Sequence, residues 1–483
     1  MAERTGFRLI PPLETYPWLV AFSQGLPGRV LLLAVFSVGL YFHTANWLPV
    51  SVFLAVLTLL PQYRPVLLVV ATLGSLALAD WPPLSMLRSI MPPDYVPGPL
   101  LKPLVIAVAL AIFALCYQAV RENPDRWYGR RPVRTLLVFY VLLIVVAAEA
   151  PLSGLPALYL WTFLVVLGKY LWYFNYALLD RQARDTSPLA LQVGHFVPFW
   201  GGSNTPFPKG AAYLRRIVAK DPEQLARCQL KGIKLLYWAL LLGLVERVLR
   251  QILHGSGDAL WGISFSLDIP SFTAVLHDIA GTQYPWHANW LALVTNFFLN
   301  LLGLSIWGHG IIACCRMAGY NALRNTCRPL QATSIADFWN RYYYYFKELL
   351  VEIFFYPAFL RHFKKRPKLR LFFATMAAAC FGNILYHFLR DLEYIVELGL
   401  WPAVLSFQVY LFYGLVLGTA IGISQLFEKK SARNLSWFWK NVVNPGYIVG
   451  FYCLLSIFDD PDRSLTIKYN FLFLLRLFNI NLS

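Results

Sequence analysis

Chemistry in this chain would start from an ionisable ring inside an apolar run. His387 lies within residues 371–389, where nearly every neighbour is apolar. On a helix it shares a face with Cys380, Asn383, Arg390 and Asp391. Asn383 is placed to orient one ring nitrogen, leaving the other for a proton. A neutral imidazole near pH 7 is the usual general base for activating a hydroxyl. An ionisable residue inside a membrane segment marks a functional position by default. A second reading stands beside this one. His387 falls about a turn from the outer end of its segment, where an interfacial histidine bonded to a neighbour would look the same.

A polar, aromatic-rich stretch precedes His387 by some forty residues. It runs Arg316-Met-Ala-Gly-Tyr320, then Asn325, Arg328-Pro329 and Ser334-Ile-Ala-Asp-Phe-Trp-Asn-Arg-Tyr-Tyr343. Ser334-x-x-Asp337 reads as a capping box, with hydroxyl and carboxylate satisfying free amides at a helix start. Asp337 and Arg341 are four apart and can pair on one face. Phe338, Tyr342, Tyr345, Phe346 and Leu349 form an apolar-aromatic stripe, while Asn340, Tyr343, Tyr344 and Lys347 share a more polar face. Pro357 predicts a stop near Phe355. Periodicity alone fits an amphipathic interfacial helix with snorkelling basic side chains.

The remaining histidines have weaker settings. His254, His277 and His287 fall in one loop without ligand spacing, and His362 sits in a basic run. His309 lies in Trp307-Gly-His-Gly310, where glycines permit close approach. His195 falls in a Pro/Gly/aromatic stretch, Gly194-His-Phe-Val-Pro-Phe-Trp-Gly-Gly-Ser-Asn-Thr-Pro-Phe-Pro-Lys-Gly210. Glu149 reads as interfacial. Seven cysteines, at 116, 228, 314, 315, 327, 380 and 453, show neither CxxC nor Cys/His spacing. That pattern supports no disulfide framework and no metal site.

These groups need a scaffold, and composition dictates its class. Hydrophobic residues make up 58% of the 483, charged residues 14%, and mean hydropathy is +0.52. Soluble domains carry about 25% charged residues. The expected class is therefore all-α integral membrane. The formal net charge of +17 does not call for nucleic acid. Its basic residues cluster in short loops between apolar runs, as the positive-inside rule requires, and suit anionic headgroups.

Apolar runs near 28–45, 46–61, 65–80, 100–120, 134–150, 156–177, 231–252, 289–313, 370–390, 401–427, 446–459 and 467–483 predict about twelve spans (range ~11–13). The second, third and eleventh are short. Four loops are basic: Arg121 to Arg134, Arg181 to Arg227, Arg361 to Arg370 and Lys429 to Lys440. The opposite loops carry Asp258, Asp268 and Asp278; Asp391, Glu393 and Glu397; and Asp459, Asp460 and Asp462. This alternation puts both termini on the cytoplasmic side. No cleavable signal is evident, and residues 1–27, with Arg4 and Arg8, read as a cytoplasmic lead-in against the membrane. Residues 28–185 form an N-terminal set of spans, 186–395 a core with re-entrant or interfacial segments, and 396–483 a C-terminal set. There is no internal repeat, which argues against a repeat-built transporter.

The ordered run Arg316-Met-Ala-Gly-Tyr320, Asn325, Arg328-Pro329, Ala332, Ser334-Ile335, Asp337-Phe338-Trp339 and Arg341, with His387 beyond it, resembles the membrane-bound O-acyltransferase (MBOAT) family. The resemblance is to its bacterial alginate-acetylation and teichoic-acid D-alanylation branch. Upstream, Phe196-Val-Pro-Phe-Trp-Gly-Gly, Pro206-Phe-Pro208 and Gly232-Ile-Lys234 are similar to that family's Pro/Gly-rich segment and following helix. The likeness spans about residues 190–395. Three positions depart from it. Tyr343 stands where the family has a second site residue, usually His. Tyr386 replaces the Trp before the invariant histidine, and Phe388 the Gly after it. A tyrosine donates a hydrogen bond well but is a poor base at neutral pH, with a reference pKa of about 10.

The resemblance implies a bowl of tilted helices around a tunnel joining the two faces of a bacterial cytoplasmic membrane. An acyl group would arrive from the cytoplasm as a thioester, on CoA or an acyl-carrier protein, with no bound cofactor. His387 would deprotonate or orient an acceptor hydroxyl. Tyr343 and Asn340 would position the acyl carbonyl or acceptor, and Asn383 the histidine. Trp339 and Tyr386 would join them in orienting substrate. Asp337, Arg341, Ser334, Arg316 and Arg328 would hold the signature. The acceptor would be an extracytoplasmic glycan or a relay partner protein. Two alternatives remain at this level: a binding or scaffold protein of the same fold without turnover, and a transporter of a lipid-linked or anionic substrate.

Overall fold

Apolar runs in lipid must satisfy every backbone amide within the segment, so they fold as helices. The computed structural model describes residues 9–78, 101–150, 152–182, 187, 189–196, 198–200, 205–255, 262, 265–282, 284–431, 436–459 and 465–480. Arg4, Arg8, Arg184, Val197, Gly201, Gly202, Ser203, Asn204, Asp258, Arg433, Asp460 and Asp462 lie outside the described residues, as do the side chains of Lys429, Lys430 and Lys440. The described elements are all helical, with one isolated β-bridge between Val218 and Tyr320.

Among the described residues, eight helices are long and apolar enough to cross a membrane. They are Leu26–His43, Lys102–Glu122, Pro132–Glu149, Gly154–Gln182, Trp286–Met317, Pro367–Arg390, Gln408–Phe427 and Asn441–Phe458. A ninth would be Trp47–Leu59 with Pro61–Leu76, two arms meeting at 105° as a broken span or a re-entrant loop. The other two runs differ from expectation for physical reasons. Pro222–His254 is long, but Lys231 and Lys234 near one end and Glu246, Arg247 and Arg250 near the other leave only residues 235–245 uncharged. That stretch rises about 17 Å, short of a ~30 Å hydrocarbon core. The last run forms the 11-residue helix Ile467–Leu477, equally short.

The lead-in does not lie loose on the surface. Its short turn Leu13–Thr15 packs on Pro222–His254 through Glu14, which accepts from Lys234 Nζ at 2.6 and 2.8 Å. Burial alone would raise the Glu14 pKa, yet the Lys234 bonds hold it below the ordinary value.

Apolar packing gathers into two main cores. One centres on Gly154–Gln182, the signature helices and the C-terminal spans. The other joins Leu26–His43, the middle of Pro222–His254 and the end of Trp286–Met317. Tyr343 packs against both, so it sits on their seam.

The helix carrying His387 is held by a glycine ladder that the sequence reading passed over. Gly414, Gly418 and Gly422 recur every four residues on Gln408–Ser431 and face Pro367–Arg390. A Cβ on each would lie 2.9 Å from Ile384, 2.9 Å from Cys380 and 2.7 Å from Phe372, respectively. Small residues in such a row let two membrane helices approach closely. At this contact Pro367–Arg390 contains a π-helical turn, Met376–Gly382. Such a turn inserts one residue and rotates everything after it, His387 included.

Candidate functional site

The signature is two helices joined at a break rather than one helix. Ile335–Tyr342 starts at Ser334, whose Oγ accepts from Asp337 N–H at 3.1 Å. The reciprocal arm of the capping box reaches one residue further back. Asp337 Oδ2 accepts from Thr333 N–H at 3.0 Å and from Arg341 Nε at 2.8 Å. The spacing therefore predicts the cap and ion pair correctly but not the partner of the carboxylate.

Helical geometry ends at Tyr343, whose φ and ψ are −136° and 72°. Asn325 causes the break by supplying what a continuing helix would have supplied. Its carbonyl accepts from Tyr344 N–H at 3.0 Å and its Oδ1 from Tyr345 N–H at 3.3 Å. Gly308 lets it in: a Cβ there would be 3.1 Å from Asn325. Beyond the break, Tyr344–Leu350 runs through a π-helical turn, Val351–Phe355, into Tyr356–Arg361. Pro357 therefore does not stop the helix. It falls directly after the π-helical turn, within the continuing helix.

Around Phe346 the expected residues converge. The centroid of its ring lies 5.3 Å from that of Tyr343, 6.1 Å from Trp339, 4.6 Å from Tyr386 and 5.9 Å from His387. His387 also stacks on Tyr410 at 4.8 Å and meets Tyr386 edge-on at 5.3 Å. Phe346 and Tyr410 belong to the site although sequence reasoning gave them no part in it. Phe346 was legible only as one member of an apolar stripe. Nothing in the sequence singles out Tyr410.

Other residues hold these rings in place. The Tyr386 hydroxyl lies 2.8 Å from Thr205 Oγ1, and its ring stacks on the fully buried Trp172. Lys209 Nζ lies 2.5 Å from both Glu348 Oε2 and Glu352 Oε1, while Lys347 also bonds Glu348. Burial by itself would raise the Glu348 pKa, but these ammonium groups hold it below the usual carboxylate range. Burial would lower Lys209, and the two carboxylates raise it instead. The Pro/Gly-rich stretch is thus pinned at Thr205 to the His387 helix and at Lys209 to the helix after the signature break.

No protein-family model and no curated protein matches this chain.

A cavity of about 390 Å³ opens beside the ring cluster. Asp337, Asn340, Lys347 and the Thr375–Gln425 pair give it polar walls, while Leu350, Val351 and Ile421 are apolar. Trp339 lines this cavity and His387 does not. From Trp339 on the cavity wall, ring contacts run to Phe346 at 6.1 Å and from Phe346 to the imidazole at 5.9 Å.

Not every expected residue joins the cluster. Asn340 is exposed into the cavity. Asn383 is 2% exposed, and its Oδ1 accepts no hydrogen bond, so that oxygen does not orient the His387 ring. Arg316 is a structural clamp, donating from Nε and Nη2 to Ala322 O at 2.9 and 2.7 Å. Arg328 adopts the left-handed region, with φ 50°, and faces a separate groove. His195 is buried in the Pro/Gly/aromatic stretch, which pushes its pKa down to about 4. Among the described residues no group of three His, Cys, Asp or Glu could hold a metal.

Proposed function

We propose that the protein is a membrane-bound O-acyltransferase of the alginate-acetylation and D-alanylation type. The observation that carries this reading is the convergence of His387 and Tyr343 on Phe346, from two separate elements, beside a cavity with polar and apolar walls. In this reading a thioester, on CoA or an acyl-carrier protein, enters the cavity past Asn340 and Lys347. The acyl carbonyl reaches His387 when Trp339 and Phe346 swing aside. The imidazole takes the proton of an acceptor hydroxyl as its oxygen attacks the carbonyl carbon. The C–S bond breaks, and the thiolate leaves with that proton. Tyr343 donates a hydrogen bond to the carbonyl oxygen as charge develops there.

The finer topology belongs to the same reading. Pro222–His254, Ile467–Leu477 and the two arms of the bent pair would add four crossings to the eight apolar helices. Short spans survive where packed helices thin the bilayer locally. Both termini then face the cytoplasm of a bacterium, and the acceptor is an extracytoplasmic glycan or relay protein.

The test is thioester consumption by protein reconstituted in liposomes, with radiolabelled acetyl-CoA and an acylated carrier protein as donors. Wild type should move label onto a hydroxyl acceptor from membrane extract, and His387→Ala should not. Equal turnover by both would remove His387 from the chemistry. The second reading, a scaffold of the same architecture, draws on the closed aromatic wall around His387. It expects donor binding without turnover in either protein.

A further inference from the structure

A groove of about 790 Å³ runs between Pro222–His254 and Trp286–Met317, away from the His387 cluster. Its two ends differ in chemistry. Lys234, His309, Arg324 and Arg328 line one end. Leu242, Leu301 and Leu302 line the other. From 234 to 242 on one helix and from 309 to 301 on its neighbour is about 12 Å. The lining thus passes from cationic to apolar over the length of a headgroup and the start of an acyl chain.

Among the described residues the charge at the cationic end is only partly compensated. Glu14 neutralises Lys234. Arg324 and Arg328 have no carboxylate partner among the described residues. His309, 7% exposed, is buried beside them. Two guanidinium groups lining one groove without a carboxylate partner call for an anion, and they match phosphate by geometry as well as charge.

We infer that this groove binds an anionic phospholipid, its phosphate between Arg324 and Arg328 beside His309 and one acyl chain along Leu242, Leu301 and Leu302. The inference is independent of the acyltransferase reading, since no residue of the His387 cluster lines the groove.

Native mass spectrometry of the full chain, released from nanodiscs of mixed phosphatidylglycerol and phosphatidylcholine, tests it. Wild type should retain phosphatidylglycerol selectively. The double variant R324A/R328A should hold it about 30-fold more weakly, from two surface-type cation contacts. Leu302→Trp, which fills the apolar end and leaves every charge in place, should also weaken it. Inorganic phosphate at the same concentration should not displace the lipid. Equal retention by R324A/R328A, or equal retention of phosphatidylcholine, would overturn the proposal. Displacement by inorganic phosphate with Leu302→Trp unaffected would also overturn it, assigning the groove to free phosphate.

Discussion

Thr205 Oγ1 and Tyr386 Oη lie 2.8 Å apart across 181 residues of sequence, and this hydrogen bond ties the Pro/Gly-rich stretch to the residue beside His387. Both side chains are buried. Tyr386→Phe keeps the ring stacked on Trp172 but removes this hydrogen bond. A typical intramolecular hydrogen bond contributes about 0.5–1.5 kcal/mol. Thermal denaturation in detergent should show that loss for Tyr386→Phe and a similar one for Thr205→Val. The double variant should be less destabilised than the sum of the two, because both remove one interaction. Additive losses would mean that the bond contributes nothing of its own.

Tyr343 offers a sharper separation of packing from chemistry. Its ring meets Phe346 at 5.3 Å and Phe207 at 6.1 Å, and Tyr343→Phe preserves both contacts. If the hydroxyl stabilises developing charge, kcat for acyl transfer should fall about 100-fold with KM little changed. Tyr343→His should retain turnover, since an imidazole also donates. An unchanged kcat in Tyr343→Phe would leave the residue a packing role on the seam between the two cores.

What the sequence makes legible depends on how local each feature is. The helical membrane class follows from composition, and the Ser334 cap and Asp337–Arg341 pair follow from spacings of three and four. The break at Tyr343 does not, because it is imposed by Asn325 from another segment. The π-helical turns escape a 3.6-residue period for a similar reason: each adds one residue where tertiary packing demands it. Reading Pro357 as a stop fails because a π-helical turn immediately precedes it. The Phe346 cluster required knowing which way three separate helices turn. The glycine ladder was legible, since Gly414, Gly418 and Gly422 recur at intervals of four.

That ladder makes a direct prediction. A Cβ at Gly418 would lie 2.9 Å from Cys380 Cβ and 3.0 Å from Met376 Sδ. Gly418→Val should therefore destabilise by about 1–3 kcal/mol through overpacking, and should displace the helix that presents His387. Gly446 is the control, because a Cβ there meets nothing within 4 Å. Gly446→Ala should be neutral or gain up to ~1 kcal/mol from helix propensity. Comparing melting temperatures and turnover of the two variants separates close packing from any general intolerance of glycine replacement.

The Lys209 anchor should reveal itself through pH. The Glu348 carboxyl is held below its ordinary value of 4.5, so its contribution is present above pH 4.5 and is lost as pH falls through the lowered value. Lys209 is raised above 10.5, so its contribution is present below that pH and is lost only in stronger base. Wild type should thus hold a stability plateau across neutral pH and soften in acid. Lys209→Met leaves Glu348 and Glu352 facing each other without the ammonium between them. At neutral pH this should cost on the order of 2 kcal/mol, less than a fully buried pair because both carboxylates keep some solvent contact. The slope should also change sign. Lys347 still bonds Glu348, so one ammonium now serves two carboxylates; acidification relieves their repulsion, and the variant should gain stability relative to wild type as pH falls toward 4.5. Melting curves for both proteins from neutral pH downward check this. Parallel curves would mean that the three groups do not act as one unit.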